Sequence, residues 1–250
     1  MFEITFPPKD DRDYDQDEEW CEVAFDGEQR RIRFHDYDEI YSIPGLYDQL
    51  FYDELRCDSP RTLCALLADC IAEEDGDADD LRVLDLGAGN GKVGEQLKLL
   101  GADSIVGMDL IEEAAAAADR DQPGVYDDYL VGDITELSED VRDELSERRF
   151  NCLTSVAALG FDDIPPEAFA HAHNLIEPGG WIVFNIKEEF ISEQDDSGFS
   201  RLIRQGLDDD SLQLEADRRY RHRLSIAGDP IHYVGMVARK QADLPVGVPG

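Results

Sequence analysis

The sequence predicts an α/β fold in which helices cover both faces of a mostly parallel β-sheet. Between residues 81 and 186, short apolar runs typical of strands alternate with stretches of helical periodicity. The first run, 81–86, leads directly into Gly87, Gly89 and Gly91, and a helical pattern follows at once. Glycines at such a turn allow bare backbone to approach a nucleotide-like ligand, which a Cβ would block.

Each element of this alternation has its own apolar or helical pattern. The predicted strands are 81–86, 104–109, 128–132, 150–157 and 180–186. The predicted helices are 91–100, 111–119, 138–147, 166–176 and 198–207. Two long alternating stretches, 212–225 and 230–239, are joined by Gly228-Asp229-Pro230, which predicts an antiparallel hairpin at the edge of the sheet.

The first 80 residues predict an N-terminal extension with a helical cap. Residues 20–25 and 30–34 both alternate and predict a β-hairpin, whereas the acidic run 10–19 predicts a solvated loop. An aromatic-rich segment at 36–47 overlaps a short helix at 46–55, and Ser59-Pro60 begins a helix that reaches residue 73. The predicted organisation is an extension and cap at 1–80, a core at 81–240 and a tail at 241–250.

The charge of the chain is strongly negative, since 23 Lys and Arg face 58 Asp and Glu for a formal charge of −35. One interpretation is a protein adapted to high salt, where carboxylates stay solvated and salt screens their repulsion; the other is an ordinary acidic protein. The charge argues against a nucleic-acid partner, because such binding requires neutralised phosphates. In a halophile that argument is weaker, because every surface is acidic.

The cysteines and the N-terminus indicate a soluble cytoplasmic protein. Five cysteines without a CxxC pair predict reduced thiols and neither a disulfide framework nor a zinc site. The chain starts without a basic n-region, and no apolar run approaches the length of a membrane span, so no membrane association is expected.

The form Asp85-x-Gly87-x-Gly89-x-Gly91 resembles class I S-adenosylmethionine-dependent methyltransferases. The order of later features agrees, with Asp109 ending the second strand, Gly132-Asp133-Ile134 the third, and Pro178-Gly179 preceding the fifth. The resemblance covers about residues 81–240 and implies a three-layer Rossmann-like fold, with a seven-stranded sheet whose last strand is antiparallel. A weaker similarity, through residues 91–94 and 126–129, is to the methyltransferase-like group of the Williams–Beuren region.

The resemblance implies S-adenosylmethionine as the cofactor and a set of residues that bind it. Asp109 would accept bonds from the ribose hydroxyls, although it could instead cap the next helix, and Asp133 with Ile134 would face the adenine unless Asp133 is an ordinary loop aspartate. The implied cofactor-binding residues are Tyr37, Asp85, Gly87, Ala88, Gly89, Asn90, Gly91, Asp109, Leu110, Asp133, Ile134, Ser155 and Val156.

The acceptor side of the site is less defined. The chain lacks the Asn-Pro-Pro-Tyr element of amino-methylating relatives and offers no metal site. His35 and Tyr41 are the candidate catalytic residues, with His35 preferred as a base over Asp162 and over His171 and His173, which are expected at the surface. Arg219, Arg221 and Arg223 would share one strand face, where they could bind an anion or pair with carboxylates.

The predicted function is direct, in-line transfer of a methyl group to a small-molecule acceptor whose identity the sequence does not give. Alternatives are a non-catalytic cofactor-binding partner protein and a nicotinamide-dependent oxidoreductase. Lys92 occupies the position where a dinucleotide-binding loop has its third glycine, which argues against the oxidoreductase.

Overall fold

The N-terminal part of the chain folds into a small sheet and two helical turns. Strands β1 (Glu3–Thr5), β2 (Trp20–Phe25) and β3 (Glu28–Arg33) form an antiparallel sheet, which confirms the predicted hairpin and adds a third strand. Helix α1 (Tyr37–Ser42) and a π-helical segment (Asp48–Glu54) pack on this sheet around an apolar cluster. We call the described residues from 1 to 55 the cap. The computed structural model describes residues 1–8, 16–25, 27–159, 163–188 and 198–247.

A seven-stranded sheet forms the centre of the molecule and confirms the predicted architecture. Five strands are parallel, β4 (Arg82–Leu86), β5 (Ser104–Asp109), β6 (Asp128–Val131), β7 (Cys152–Ser155) and β8 (Trp181–Lys187), and β10 (Pro230–Lys240) is antiparallel to β8. The hairpin partner of β10 is β9 (Leu212–Leu224), which gives the order β6-β5-β4-β7-β8-β10-β9. The order reverses between β4 and β7, and ligands bind at such a switch point.

Helices flank both faces of this sheet. They are α2 (Ser59–Glu73), α3 (Lys92–Leu100), α4 (Glu112–Asp121), α5 (Glu139–Glu147), α6 (Pro166–Asn174) and α7 (Gly198–Asp208). Helix α2 lies within the N-terminal 80 residues, and its apolar side packs directly on the sheet together with residues of β4 and α3. No helix in the described ranges is long and apolar enough to cross a bilayer.

Apolar packing on one side of the cap and a buried ion pair on the other help to attach it to the core. Tyr41 of α1 packs against Ala114 and Ala117 of α4. On the other side, Glu19 forms a buried ion pair with Arg223 and accepts a hydrogen bond from the Ile226 amide at 2.8 Å. The prediction of a solvated acidic run was therefore wrong at Glu19, because this carboxylate has a buried partner; residues 9–15 lie outside the described residues.

Strand β7 is shorter than predicted. The apolar pattern extends to residue 157, but pairing ends at Ser155, and Ala157 adopts a left-handed conformation with φ of 59°. Extended pairing requires negative φ, so the strand stops there and the chain turns. This turn, Val156 to Ala158, opens into the site described below.

Candidate functional site

A cavity of about 440 Å³ lies between the carboxyl ends of the parallel strands and the cap. This volume is within the range of small-molecule sites. Of the residues predicted to contact the cofactor, most line it: Tyr37, Gly87, Ala88, Gly89, Asn90, Asp109, Leu110, Asp133, Ile134 and Val156. Both candidate catalytic residues, His35 and Tyr41, line it too. Asp85, Gly91 and Ser155 do not line it.

The glycine loop between β4 and α3 needs its glycines for two reasons. Gly87, Gly89 and Gly91 have φ of 73°, 53° and 90°, which L side chains rarely adopt. A Cβ at Gly89 would also lie 2.5 Å from the Tyr41 hydroxyl, and one at Gly87 would lie 2.7 Å from the Cβ of Ala158. Besides exposing backbone to a ligand, the glycines therefore let the cap and the turn after β7 approach the loop.

Asp85 lies beneath this loop and not at the cavity wall, contrary to the expected cofactor contact. It is fully buried and accepts hydrogen bonds from Thr154 Oγ1 at 2.6 Å and Tyr126 Oη at 2.7 Å. Burial raises the pKa of Asp85 to about 6, although these two bonds partly oppose the shift. Since Tyr126 Oη also approaches Ala88 O at 3.3 Å, the Asp85 network supports the loop from below.

Asp109 lies at the end of β5 beside the glycine loop. Its Oδ2 accepts from the Gly89 amide at 2.9 Å, and its Oδ1 accepts from the Ile111 amide at 3.1 Å. Burial raises the pKa of Asp109 while these backbone bonds lower it. Asp109 is not the cap of the next helix, because the N-cap of α4 is Ile111 and no side chain caps it. Each carboxylate oxygen has two lone pairs, so Asp109 retains acceptor capacity beside its two backbone bonds.

Asp133 and Ile134 follow β6 on the same side of the cavity. Asp133 Oδ1 accepts from the Thr135 amide at 2.8 Å and from Thr135 Oγ1 at 2.7 Å. These local bonds fix the carboxylate, and Oδ2 takes part in neither of them. Ile134 is buried in the main core while it also lines the cavity, so it presents an apolar surface at this end.

The opposite wall is aromatic and comes from the cap. Tyr37 stacks on Tyr41 with ring centres 6.0 Å apart, Tyr41 is 5.0 Å from Tyr47, and Tyr52 also lines the cavity. Burial raises the pKa of all four phenols. The raised pKa values favour neutral hydroxyl groups for these tyrosines at ordinary pH.

His35 faces a carboxylate at the edge of the cavity. Its Nδ1 lies 3.2 Å from Asp163 Oδ1, and both side chains are partly exposed. Of the other candidate bases, Asp162 lies outside the described residues. His173 is buried in α6 and not at the surface as expected, and burial lowers its pKa to about 4. Neither His171 nor His173 lines the cavity.

A set of polar contacts joins the cap to the glycine loop. Asp48 of the π-helical segment accepts from Asn90 Nδ2 at 2.9 Å and pairs with Lys92 Nζ at 2.8 Å. Lys92 also lies 3.9 Å from Glu95. The local sequence does not distinguish Asp48 or Asp163 from the many other acidic residues of this chain, so neither is predicted from sequence.

In the arginine row of β9, Arg219 and Arg223 pair with carboxylates, and none of the three arginines lines the cavity. Arg219 binds Glu188 at 2.7 Å, and Arg218 binds Asp69 at 3.2 Å. Arg223 holds Glu19 of the cap. For Arg219 and Arg223, the structure supports ion pairing and not anion binding.

A comparison of the sequence with models of protein families agrees with these structural features, which are the strand order, the glycine loop and the acidic residues after β5 and β6. A family model described as "Methyltransferase domain" matches residues 55–223. The chain belongs to the class I S-adenosylmethionine-dependent methyltransferases. The ubiquinone biosynthesis O-methyltransferase of Paraburkholderia phymatum is 31% identical over 106 residues, which are 42% of this chain and 43% of that protein. The chain thus matches less than half the length of this curated relative.

Solved structures share the fold of this methyltransferase at low sequence identity. A Thermoplasma acidophilum protein superposes with a TM-score of 0.51 and 18% identity, covering 72% of this chain and 85% of that one. Magnesium protoporphyrin IX methyltransferase of Synechocystis PCC 6803, solved with bound S-adenosylmethionine, gives 0.50 and 16%, covering 73% and 79%. These similarities support the Rossmann-like architecture of the core.

The residues that line the cavity fit S-adenosylmethionine. The loop Gly87–Asn90 forms one side of the cavity, and its two glycines line that side without side chains. Asp109 retains acceptor capacity for hydroxyl groups beside its two backbone bonds. Ile134 and Leu110 supply apolar surface near Asp133, as a purine ring requires.

Proposed function

We propose that this protein is an enzyme that methylates a hydroxyl oxygen of a small, uncharged acceptor. The observation that carries the proposal is the extent of the cavity. It reaches from Asp109 and Asp133, on the cofactor side, to His35 and Tyr37 of the cap and to Asp163 of the core. One continuous cavity therefore contacts both the predicted cofactor-binding residues and a possible proton acceptor.

On the cofactor side, we assign the ribose contact to Asp109 and the adenine contacts to Asp133, Ile134 and Leu110. The backbone of Gly87–Asn90, with Val156 and Tyr37, would contact the methionine part. Asp85, Gly91 and Ser155 act indirectly, by holding the loop and the end of β7. When bound, S-adenosylmethionine supplies an electrophilic methyl group, so the protein needs no covalent intermediate.

His35 is the residue that we propose as the general base. Asp163 at Nδ1 would orient the imidazole and stabilise its charged form, so that Nε2 accepts the proton of the acceptor hydroxyl. The cap tyrosines contribute flat surface and neutral hydroxyl groups that orient the acceptor and exclude water. Tyr41 is thus a positioning hydroxyl beside Gly89.

The charges of the wall disfavour an anionic acceptor. Asp109, Asp133 and Asp163 are acidic, and Lys92 is already paired with Asp48. An anionic acceptor would meet carboxylates without an unpaired lysine or arginine among the described lining residues. The name of the Paraburkholderia relative, an O-methyltransferase, agrees with transfer to oxygen.

Isothermal titration with S-adenosylhomocysteine in roughly 2 M KCl tests the cofactor assignment, since salt at that level screens the acidic surface. Asp109→Ala removes the proposed ribose acceptor and should weaken binding by more than about 1 kcal/mol, or roughly fivefold. Asp119→Ala removes the same charge from an exposed position on α4 and should leave the affinity unchanged. Absence of binding to the folded wild-type protein would refute the proposal.

Transfer of a labelled methyl group to a panel of small phenols and catechols tests the role of His35. His35→Ala should lower kcat by about 10²–10⁴, the usual contribution of a general base, and keep the affinity for S-adenosylhomocysteine. His171→Ala, a histidine outside the cavity, is the matched control. If His35→Ala retains the wild-type kcat on an accepted substrate, His35 is not the base.

A further inference from the structure

One wall of the cavity is held in an unfavourable backbone conformation. Five non-glycine residues in the described part of the chain have positive φ, and Ala157 is the one among them that lines the cavity. The left-handed region is costly for an L residue with a Cβ. Alanine has no polar side chain with which to stabilise its own turn, so an external contact must hold it.

That contact comes from Asn185 of β8. The Ala157 amide donates to Asn185 Oδ1 at 2.6 Å. Since a backbone amide can only donate, this bond fixes which end of the Asn185 side chain is the oxygen. Asn185 is fully buried among apolar residues of β8, where an amide side chain is unfavourable unless each of its groups is bonded.

The other end of the Asn185 amide is held by a buried polar network. Its Nδ2 donates to Tyr220 Oη at 2.6 Å and lies 3.3 Å from Ser59 Oγ. Ser59 Oγ in turn contacts Tyr220 Oη and His222 Nδ1, both at 2.7 Å. The network joins the start of α2 and strand β9 to the turn after β7, so the orientation of Asn185 is determined from three elements.

The turn after β7 also packs against the glycine loop. The Cβ of Ala158 occupies the space beside Gly87, and a Cβ at Gly87 would lie 2.7 Å from it. A change in the conformation of Ala157 would move Ala158, which contacts the loop that forms the cofactor side of the cavity. The hydrogen bond between Ala157 and Asn185 therefore affects the shape of the site, although Asn185 itself does not line the cavity.

We propose that Asn185 is a positioning residue of the active site, which holds Ala157 in its left-handed conformation and so sets the cavity wall and the glycine loop. The proposal extends the proposed function and rests on it, because only that function makes the cavity an active site. The hydrogen bond to Ala157 is testable without any assumption about methyl transfer.

The experiment combines Asn185→Ala with a rescuing change at the strained residue. Asn185→Ala removes the acceptor for the Ala157 amide, and S-adenosylhomocysteine affinity should fall by about tenfold. Glycine adopts positive φ readily. Adding Ala157→Gly should therefore restore the affinity to within about twofold of the wild type, whereas Ala157→Gly alone should have little effect. A general loss of stability at Asn185 would not be repaired by a change at residue 157.

Hydrogen exchange at the Ala157 amide is a second measurement of the same hydrogen bond. In protein labelled with ¹⁵N-alanine, the Ala157 amide is assigned by its absence in Ala157→Gly, and its exchange should accelerate at least about tenfold in Asn185→Ala. If Asn185→Ala does not fold, Tyr220→Phe replaces it; loss of this partner hydroxyl should accelerate exchange in the same direction.

Unchanged exchange at Ala157 overturns the proposal, and so does an affinity loss that Ala157→Gly does not repair. The proposal is also overturned if Asn185→Ala accelerates exchange at Ala157 but keeps the wild-type affinity for S-adenosylhomocysteine. The conformation of Ala157 would then not affect the cofactor side of the cavity. Failure of the wild-type protein to bind S-adenosylhomocysteine refutes the proposed function, while the exchange measurement still tests the hydrogen bond.

Discussion

Asp85 illustrates how the surroundings of a residue determine its role. Its place in the Asp-x-Gly-x-Gly-x-Gly form indicated a cofactor contact, but in the structure it lies beneath the loop and accepts from Thr154 and Tyr126. Neither partner is close to it in the sequence. The spacing of Asp85 from the glycines indicates an important carboxylate. The side on which this carboxylate finds its partners depends on residues that meet only in the folded chain.

The buried carboxyl of Asp85 should make stability depend on pH. Burial raises its pKa from 3.8 to about 6, so the folded state binds the proton more tightly than the unfolded state. The resulting stabilisation is complete below about pH 4 and is lost as the pH rises through about 6. A shift of about two units corresponds to about 3 kcal/mol. Relative to wild type, Asp85→Asn should therefore gain about 3 kcal/mol of unfolding free energy between pH 4 and pH 7.

Urea unfolding of the cofactor-free protein in constant high salt measures this difference. Asp119→Asn, which changes an exposed carboxylate of α4, should show an almost constant difference from wild type over the same range. A constant difference for Asp85→Asn would mean that Asp85 titrates in the folded protein as it does in the unfolded chain.

At the same scale, the cofactor side of the site was predictable and the acceptor side was not. Asp109 and Asp133 follow apolar strands, and the ends of neighbouring parallel strands meet at one edge of a sheet, so their approach to the cavity follows from the pattern. Asp48, Asp163 and Asn185 reach their partners across 42, 128 and 28 residues of sequence. Only the folded chain shows which residues these side chains contact.

Among the elements, those with strong periodicity were predicted well. The strands and helices of the core lie close to their predicted bounds, and the closing hairpin is present. The errors occur where a tertiary contact overrides the local pattern. Strand β7 ends early because Ala157 is held by Asn185, and α1 was not predicted because its aromatic residues are buried against α4 and the cap.

For the molecule as a whole, the formal charge of −35 should make stability depend on salt. Self-repulsion of carboxylates opposes the compact state, and the screening length falls from about 10 Å at 0.1 M to about 3 Å at 1 M. The thermal midpoint should therefore rise by several degrees between 0.1 and 1 M KCl. Sucrose at equal osmolality, which does not screen charge, should produce a smaller rise; an equal rise in both would contradict a charge-based cause.

Asp48 attaches the cap to Asn90 and Lys92, so residues of the N-terminal segment form part of the site. The family match begins at residue 55, whereas His35 and the aromatic wall all precede it. Under the proposed function, the segment by which these proteins are classified carries the donor half of the chemistry, and the unmatched N-terminus carries selectivity for the acceptor. Two members with nearly identical matched segments would then act on different compounds if their first fifty residues diverged.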